Sequence, residues 1–290
     1  MRNPVLILLM LLWPTLLMGQ TSWKGTANTD WSNANNWTRG VPTSAVDAFL
    51  GDSNFTGANS PRLSTQSTCR SLTVGGSKAT TFSLGDRNLT VTGNVTIASN
   101  GSISHGKGTF TVEGNWTNNG SYSATRNQST VAFSGSGTET IGGTATSTFR
   151  RFTTGKTATV NCAQNVAVNG GGATIIINGT FDPGNFQVTG GASMTVNSGG
   201  GLVVSKSTFS GNFGTSGGKT LNVASTVNYA ASGAQTIDQT LSYGNLVLST
   251  GGTKSAGGNL TIRGNFTINS GVTCKGGTAT FTISGSIVNN

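Results

Sequence analysis

The feature that most constrains the fold is a long series of very short, strand-like segments. They are apolar–polar–apolar triplets, such as LTV at 72–74 and 89–91, FTV at 110–112, VNY at 227–229 and FTI at 266–268 and 281–283. Alternation with a period of two indicates a strand with one buried face. Strands of three or four residues are not stable as an isolated hairpin. They therefore predict coils whose strands stack on neighbouring coils.

The dipeptide Gly-Asn separates many of these segments. It occurs at 93–94, 114–115, 184–185, 211–212, 244–245, 258–259 and 264–265, each time followed by an apolar residue. Gly and Asn tolerate positive φ and turn a chain sharply at little steric cost. The pattern predicts a corner and then a strand that enters the core, with Asn amides hydrogen-bonding between stacked corners. The residues expected to be buried after a corner are Val95, Trp116, Phe186, Phe213 and Phe266.

Internal echoes support a repeated architecture. STVAFSGSGTETI at 129–141 and STVNYAASGAQTI at 225–237 share seven of thirteen residues, and 89–119 aligns with 260–290 after two one-residue shifts. Such repeats predict a solenoid with coils of ~20–30 residues, irregular in length. The final Asn-Asn pair matches Asn118–Asn119, where the first copy continues. This predicts that the repeats are incomplete at the C-terminus, with an apolar sheet edge at 280–288 through which the protein self-associates.

The composition agrees with an ordered all-β protein. The chain has 44 Gly, only 9% charged residues and a single His. Disordered chains lack regularly spaced β-branched and aromatic residues, which recur here every few positions. Helix formers do not cluster after residue 20, so helix is expected only in the N-terminal segment.

Residues 1–19 have the features of a secretory signal peptide. Arg2 precedes an apolar run from Val5 to Met18, and the small residue Gly19 follows it. The run is shorter than the ~20 residues that a membrane span requires, and Pro14 interrupts it. We therefore predict a secreted or cell-surface protein with no membrane span once the signal is removed.

The segment after the signal carries a distinctive tryptophan motif. Residues 23–42 read WKGTANTDWSNANNWTRGVP, or W-x-G-x4-D-W-x5-W-x2-G-x-P. With the repeats that follow, it resembles the start of secreted or surface β-helical proteins of Gram-negative bacteria, of the adhesin or autotransporter-passenger type. The resemblance covers roughly residues 23–290. It implies a right-handed parallel β-helix and a role in adhesion or extracellular structure. We predict a tryptophan-rich capping segment at 20–45 and β-helix repeats at 46–290.

Two interpretations of Trp23, Trp31 and Trp37 remain open. In the first interpretation, the rings cover the open first coil of the solenoid; two or three of them are large enough to do so, since each aromatic side chain buries 150–250 Å². Alternatively, exposed rings stack on sugars and form a ligand-binding platform. The position immediately before the first repeat favours the cap.

The charged residues favour a scaffold over an enzyme. The net charge is +9, but the cations are scattered and the densest pair is Arg150–Arg151, so no specific nucleic-acid binding is predicted. Attraction to acidic glycans or anionic surfaces stays as an alternative. No two of the eight acidic residues share a short motif, and Asp86 and Asp182 occur in turn-like sequences. No catalytic residue and no cofactor is predicted.

The remaining chemistry-bearing residues give weak signals. His105 lies in SISHGKG, which we expect to be an exposed surface loop. Cys69, Cys162 and Cys274 are too far apart for a metal motif or a disulfide framework. They are predicted to be buried small side chains, with one long-range disulfide as the alternative. No metal site is predicted.

Three functions follow from these observations. The first is a non-catalytic structural or adhesin-type β-helix of the cell exterior, with glycans or other surface polymers as partners. The second is a carbohydrate-binding or polysaccharide-processing β-helix, which would bring acids and basic residues together in a cleft. The third is an ice-binding solenoid, which would present a flat array of outward threonines.

Overall fold

The short triplets form a stack of parallel coils. The computed structural model describes residues 19–290, and the chain is a parallel β-solenoid of about 12 turns with 47% strand and 3% helix. The predicted all-β solenoid is confirmed. The predicted signal peptide lies outside the described residues except for Gly19, at which the first strand begins.

The strands are numbered in chain order. The first twelve are β1 (Gly19–Ser22), β2 (Val46–Leu50), β3 (Ser67–Cys69), β4 (Leu72–Val74), β5 (Thr80–Gly85), β6 (Leu89–Val91), β7 (Val95–Ile97), β8 (Gly101–His105), β9 (Thr109–Val112), β10 (Trp116–Asn118), β11 (Ser121–Ala124) and β12 (Thr130–Phe133). The next twelve are β13 (Thr138–Gly142), β14 (Ser147–Phe149), β15 (Arg151–Thr154), β16 (Thr159–Cys162), β17 (Val166–Val168), β18 (Thr174–Ile177), β19 (Thr180–Asp182), β20 (Val188–Gly190), β21 (Ser193–Val196), β22 (Gly201–Val204), β23 (Phe213–Thr215) and β24 (Lys219–Leu221). The last ten are β25 (Thr226–Tyr229), β26 (Gln235–Ile237), β27 (Ser242–Tyr243), β28 (Asn245–Leu248), β29 (Gly252–Ala256), β30 (Leu260–Ile262), β31 (Phe266–Ile268), β32 (Val272–Lys275), β33 (Phe281–Ile283) and β34 (Ile287–Asn289).

Three strands make one coil, so the solenoid has three sides. One side is the long sheet of thirteen strands, in the order β1-β2-β4-β7-β10-β13-β16-β19-β22-β25-β28-β31-β34. The second side is an eight-stranded sheet, β24-β21-β18-β15-β12-β9-β6-β3, here called the threonine sheet, followed by β27-β30-β33. The third side consists of β5, β8 and β11, then β14, β17, β20 and β23, then β26, β29 and β32. Each strand gains its hydrogen-bond partners from the coils before and after it.

The corner pattern places apolar residues inside as predicted, with one exception. Val95, Trp116, Phe213 and Phe266 are buried, and the first two occupy adjacent positions in the long sheet. Phe186 is only half-buried. It lies two residues before β20 and still belongs to the turn, so its side chain does not enter the core as a strand residue does.

Asparagine side chains tie successive corners together. The Asn94 Oδ1 accepts a hydrogen bond from the Asn115 backbone N–H at 2.9 Å, and the Asn115 Oδ1 accepts one from the Thr140 N–H at 2.9 Å. Asn245 and Asn265 form a second ladder of the same kind near the C-terminal end, at 2.9 and 3.0 Å. The predicted coil-to-coil bonding is confirmed, with a backbone N–H as the donor in each case.

Helix is not confined to the N-terminal segment, so that prediction is wrong. One α-helical turn, α1 (Phe209–Asn212), and one 3-10 turn, Ala34–Asn36, interrupt the coils. The Thr208 Oγ1 caps α1 by accepting the Gly211 N–H at 3.0 Å. The Asn212 side chain donates to the carbonyls of Gly184 and Phe186, both at 2.8 Å. Here the Gly-Asn corner is helical because the asparagine satisfies backbone groups of the preceding coil.

The last strand of the long sheet is its least covered part. The β34 strand pairs with β31, and its residues Ile287 and Val288 are 63% and 41% exposed. Self-association through residues 280–288 stays a prediction.

Candidate functional site

The tryptophan motif forms a buried cluster. Trp23, Trp31 and Trp37 are 0%, 1% and 2% exposed. The Trp37 ring meets Trp23 and Trp31 edge to face, with centroid distances of 5.1 and 4.7 Å, and Trp31 stacks on Phe82 of β5 at 5.0 Å. The Trp37 Nε1–H donates to the Trp31 carbonyl at 2.7 Å.

These contacts decide what the rings are able to do. A sugar platform needs exposed ring faces, and the three side chains have none. Trp31 instead stacks on Phe82 of the first coils, and Trp37 joins Trp31 to Trp23, which agrees with the capping interpretation. The segment before them is itself part of the solenoid, since β1 pairs in parallel with β2.

The acidic side chains mostly accept hydrogen bonds from backbone N–H groups. Seven of the eight accept a backbone N–H: Asp30, Asp47, Asp52, Asp86, Glu139, Asp182 and Asp238. The Arg70 guanidinium lowers the pKa of the Asp47 carboxyl through its hydrogen bond. The local turn cap predicted for Asp182 is confirmed and recurs at Asp30, Asp52 and Asp238, each of which accepts the N–H two residues further on. Asp86 and Asp47 instead accept an N–H of a neighbouring coil.

His105 is not in an exposed loop, so that prediction is wrong. It is the last residue of β8 and is fully buried. Its Nε2 lies 2.8 Å from the Gly108 carbonyl, which only an N–H can satisfy, and its Nδ1 lies 2.7 Å from the Tyr122 hydroxyl. Burial lowers the pKa of His105 to about 4. The alternation of SISH explains the burial, because His105 shares the inward face with Ile103.

The three cysteines are free thiols, which removes the disulfide alternative. Cys69 and Cys162 are buried, as predicted, and Cys274 is half-buried. Burial raises the pKa of all three thiols. Residues 19–290 contain no cluster of three His, Cys, Asp or Glu residues that would hold a metal ion.

The most distinctive surface is a groove along one corner of the solenoid. Five cationic side chains line it, and we call it the basic groove: Arg62, Arg87, Lys107, Arg126 and Arg151. It consists of two cavities of about 630 and 550 Å³, and Arg126 lines both. The first cavity holds Arg62 and Arg87, and the second holds Lys107 and Arg151. Arg62, Arg87, Lys107 and Arg126 are exposed.

Stacking of the coils assembles this groove. Arg87, Lys107 and Arg126 each lie in the turn that leads from the third side to the threonine sheet, and Arg151 begins the next strand of that sheet. The Lys107 N–H donates to the Asp86 Oδ1 at 2.9 Å, which aligns two of these turns. The five cations occur at intervals of 19 to 25 residues. That interval is about one coil, so each coil contributes one charge.

The prediction that the cations are scattered is wrong for this groove, because cations about one coil apart in the sequence become neighbours when the coils stack. A cation recurring once per coil length is the signal that identifies them.

The charge in the groove is largely unbalanced. Asp86 is the one carboxylate that lines either cavity. At the end of the groove near Arg62, the Ser64 hydroxyl donates a hydrogen bond to the Asp30 Oδ1 at 2.6 Å, and this bond lowers the pKa of Asp30. Across the described part of the chain, the one ion pair is Arg70–Asp47, away from the groove. The Arg151 Nε is buried without a hydrogen-bond partner.

The threonine sheet beside the groove presents a regular outward surface. One register column runs through β3, β6, β9, β12, β15, β18, β21 and β24: Thr68, Thr90, Thr111, Ala132, Thr153, Ile176, Thr195 and Thr220. A second column two residues away contains Thr109, Thr130, Arg151, Thr174 and Ser193. The threonines are irregular in the sequence because the coils differ in length, yet strand pairing brings them into line.

The fold and these surfaces define a parallel β-solenoid with an elongated polar and basic corner. No protein-family model, no curated protein and no solved structure matches the chain. None of the helices from residue 19 onwards has the length and apolarity needed to cross a membrane.

Proposed function

We propose that the protein is a non-catalytic, adhesin-type β-solenoid that acts outside the cell and attaches to a glycan chain. The observation that carries the proposal is the shape of the basic groove. It is open and crosses consecutive coils, with two cavities that join at Arg126. Such a groove suits an extended polymer, whereas small substrates are usually enclosed by a mostly apolar pocket.

The surroundings of the groove support polymer binding. Polar side chains such as Ser64, Ser104 and Thr125 line it between the cations. They offer hydroxyl groups at positions that a sugar chain crosses. Because the solenoid core holds the turns in place through coil-to-coil hydrogen bonds, the surface is arranged before the ligand arrives and little ordering cost remains.

A retention experiment tests the proposal. The purified protein is passed over immobilised neutral and acidic polysaccharides, and the fraction of protein retained is measured. The reducing and unsaturated sugar ends released into solution are measured as a sign of cleavage. We expect retention on at least one polysaccharide and no release of fragments over prolonged incubation. Retention on none would contradict glycan attachment, and steady release of new reducing or unsaturated ends would contradict a non-catalytic role.

The threonine columns favour ice binding as a second candidate function. Threonine offers a hydroxyl and a methyl group, and neighbouring strands repeat every ~4.8 Å. The two columns therefore form a two-dimensional array, and Arg151 is its one charged member. A rigid array of this kind is the feature that an ice surface requires.

Growth of ice crystals provides the test of this second function. We expect the protein to slow ice recrystallisation, and a lysine in place of Thr111 to abolish the effect because a charged side chain disrupts the array. Thr148→Lys, an exposed change in β14 on the third side of the solenoid, is the matched control. Equal activity of the two variants, or no activity in the parent protein, would exclude ice binding.

A further inference from the structure

We infer that the basic groove binds a linear polyuronate, a polysaccharide with one carboxylate on each sugar residue. The inference rests on the proposed glycan attachment and names the class of its ligand. Three observations support it: the excess of positive charge, the spacing of the cations and their side-chain chemistry.

The charge balance selects an anionic ligand. Five cations and a single carboxylate, that of Asp86, line the two cavities. No acidic partner neutralises Arg87, Lys107 or Arg126 in the portion of the chain that the structure covers. Cations held this close repel one another, and an anion that enters between them relieves the repulsion. A neutral glycan would not relieve the repulsion between the cations.

The spacing selects a polymer with one charge per sugar. Successive coils of a parallel solenoid are separated by ~4.8 Å, the distance between neighbouring strands. Arg87, Lys107, Arg126 and Arg151 lie on successive coils. The coil spacing is close to the length of one sugar residue in an extended chain. A polyuronate laid along the corner therefore meets one cation for each carboxylate.

The side chains favour carboxylate among the anions. Four of the five cations are arginines, whose planar guanidinium group matches a carboxylate in a two-point hydrogen bond. The Arg151 Nε is already desolvated and has no hydrogen-bond partner among the residues that the structure describes. Nucleic acid is a poorer fit, because no aromatic side chain lines either cavity to stack on bases.

The affinity for polygalacturonate, measured by titration calorimetry at physiological ionic strength, tests the inference. The triple variant Arg87→Gln, Lys107→Gln, Arg126→Gln is expected to bind polygalacturonate with an affinity at least about tenfold lower than the parent, because it loses three charge-assisted contacts. None of these three side chains donates a hydrogen bond to another group of residues 19–290, so the melting temperature should not change. The matched control is Lys78→Gln, Lys156→Gln, Lys275→Gln, which removes the same charge from exposed positions elsewhere and should bind as the parent does.

A gain-of-binding variant keeps the test decisive if the triple variant is unstable. Asp86→Asn removes the carboxylate that lines the two cavities and retains the Oδ1 that accepts the Lys107 N–H. It should bind polygalacturonate more tightly than the parent, and added salt should weaken both complexes.

The other outcomes separate the two proposals. Binding only to neutral polysaccharides would overturn the polyuronate inference and leave glycan attachment standing. Dextran sulfate or DNA binding as tightly as polygalacturonate would also overturn it, because the groove would then act as a simple ion exchanger. Binding to no polysaccharide at all would overturn both.

Discussion

Replacing Trp31 or Trp37 by alanine is expected to lower the free energy of unfolding by about 3–5 kcal/mol per ring. Both rings are almost completely buried, and each contacts the other at 4.7 Å. Trp31 also covers Phe82, so its removal exposes the interior of the first coils to water. The Trp37 variant additionally loses the hydrogen bond from its Nε1–H to the Trp31 carbonyl. Denaturant unfolding followed by circular dichroism measures the loss.

A control distinguishes capping from a general effect of losing apolar surface. Ile287→Ala changes a side chain that is 63% exposed, and surface changes of this kind usually alter stability by less than ~0.5 kcal/mol. If both tryptophan variants unfold at the same denaturant concentration as the parent, the rings do not cap the solenoid.

The second large effect concerns Glu139, a buried carboxylic acid near the start of β13. Its Oε1 accepts the Gly135 N–H at 2.9 Å, while its Oε2 is buried with no hydrogen-bond partner. Burial raises the pKa of Glu139 to about 7, and the nearby Glu113 charge adds to the shift against the opposing effect of the Gly135 hydrogen bond. The acid is therefore held partly neutral near physiological pH.

The second copy of the sequence repeat has a neutral group at the matching position, although on another side of the solenoid. Glu139 lies in β13 of the long sheet and Gln235 in β26 of the third side. Gln235 makes the same local bond, since its Oε1 accepts the N–H of Ala231, four residues earlier, at 3.1 Å. Its Nε2 donates to the carbonyls of Val204 and Lys206, at 2.8 and 2.6 Å, which belong to the preceding coil. A protonated Glu139 has one O–H with which to imitate this bond, and an ionised Glu139 has none.

Glu139→Gln is accordingly expected to stabilise the protein above neutral pH. The folded pKa lies above the unfolded value of about 4.5, so the stability that the proton supplies is complete below pH ~4.5 and is lost as the pH rises through about 7. At pH 8 the variant should be more stable than the parent by about 1–3 kcal/mol, the usual cost of an unsatisfied buried group. The two proteins should converge below pH 4.5.

Chemical denaturation at a series of pH values checks this result. His105 acts in the opposite direction between pH 6.5 and about 4, because its folded pKa is lowered. The difference between parent and variant cancels this contribution and isolates Glu139. Asp86→Asn, on an exposed acid that does not contribute to the Glu139 shift, is the control and should follow the pH profile of the parent closely. A constant offset between parent and Glu139→Gln at all pH values would contradict a titrating Glu139.

The sequence alone predicted the architecture because its signals are local. The triplets alternate within three residues, and each Gly-Asn corner precedes the residue that it turns inward, so Val95 and Trp116 could be placed without any knowledge of their neighbours. Phe186 and the helical turn at Phe209–Asn212 escaped prediction. Both depend on how many residues a corner contains before the next strand begins. At Phe209–Asn212, the hydrogen bonds from Asn212 to the preceding coil determine that length.

The tertiary structure alone decided which polar residues meet. The alternation of SISH turns His105 inward, but only the stacking of coils gives it the Tyr122 hydroxyl as a partner. Arg87, Lys107 and Arg126 are separated by about one coil of chain each, and only the stacking of coils makes them neighbours. The register between strands depends on coil lengths, which vary, so the threonine columns are equally hidden in the sequence. What the chain determines by itself is the coil, because its turns and strands are encoded by adjacent residues. The basic groove and the threonine columns are determined by the stacking of coils, because stacking brings together residues that are about twenty positions apart in the sequence.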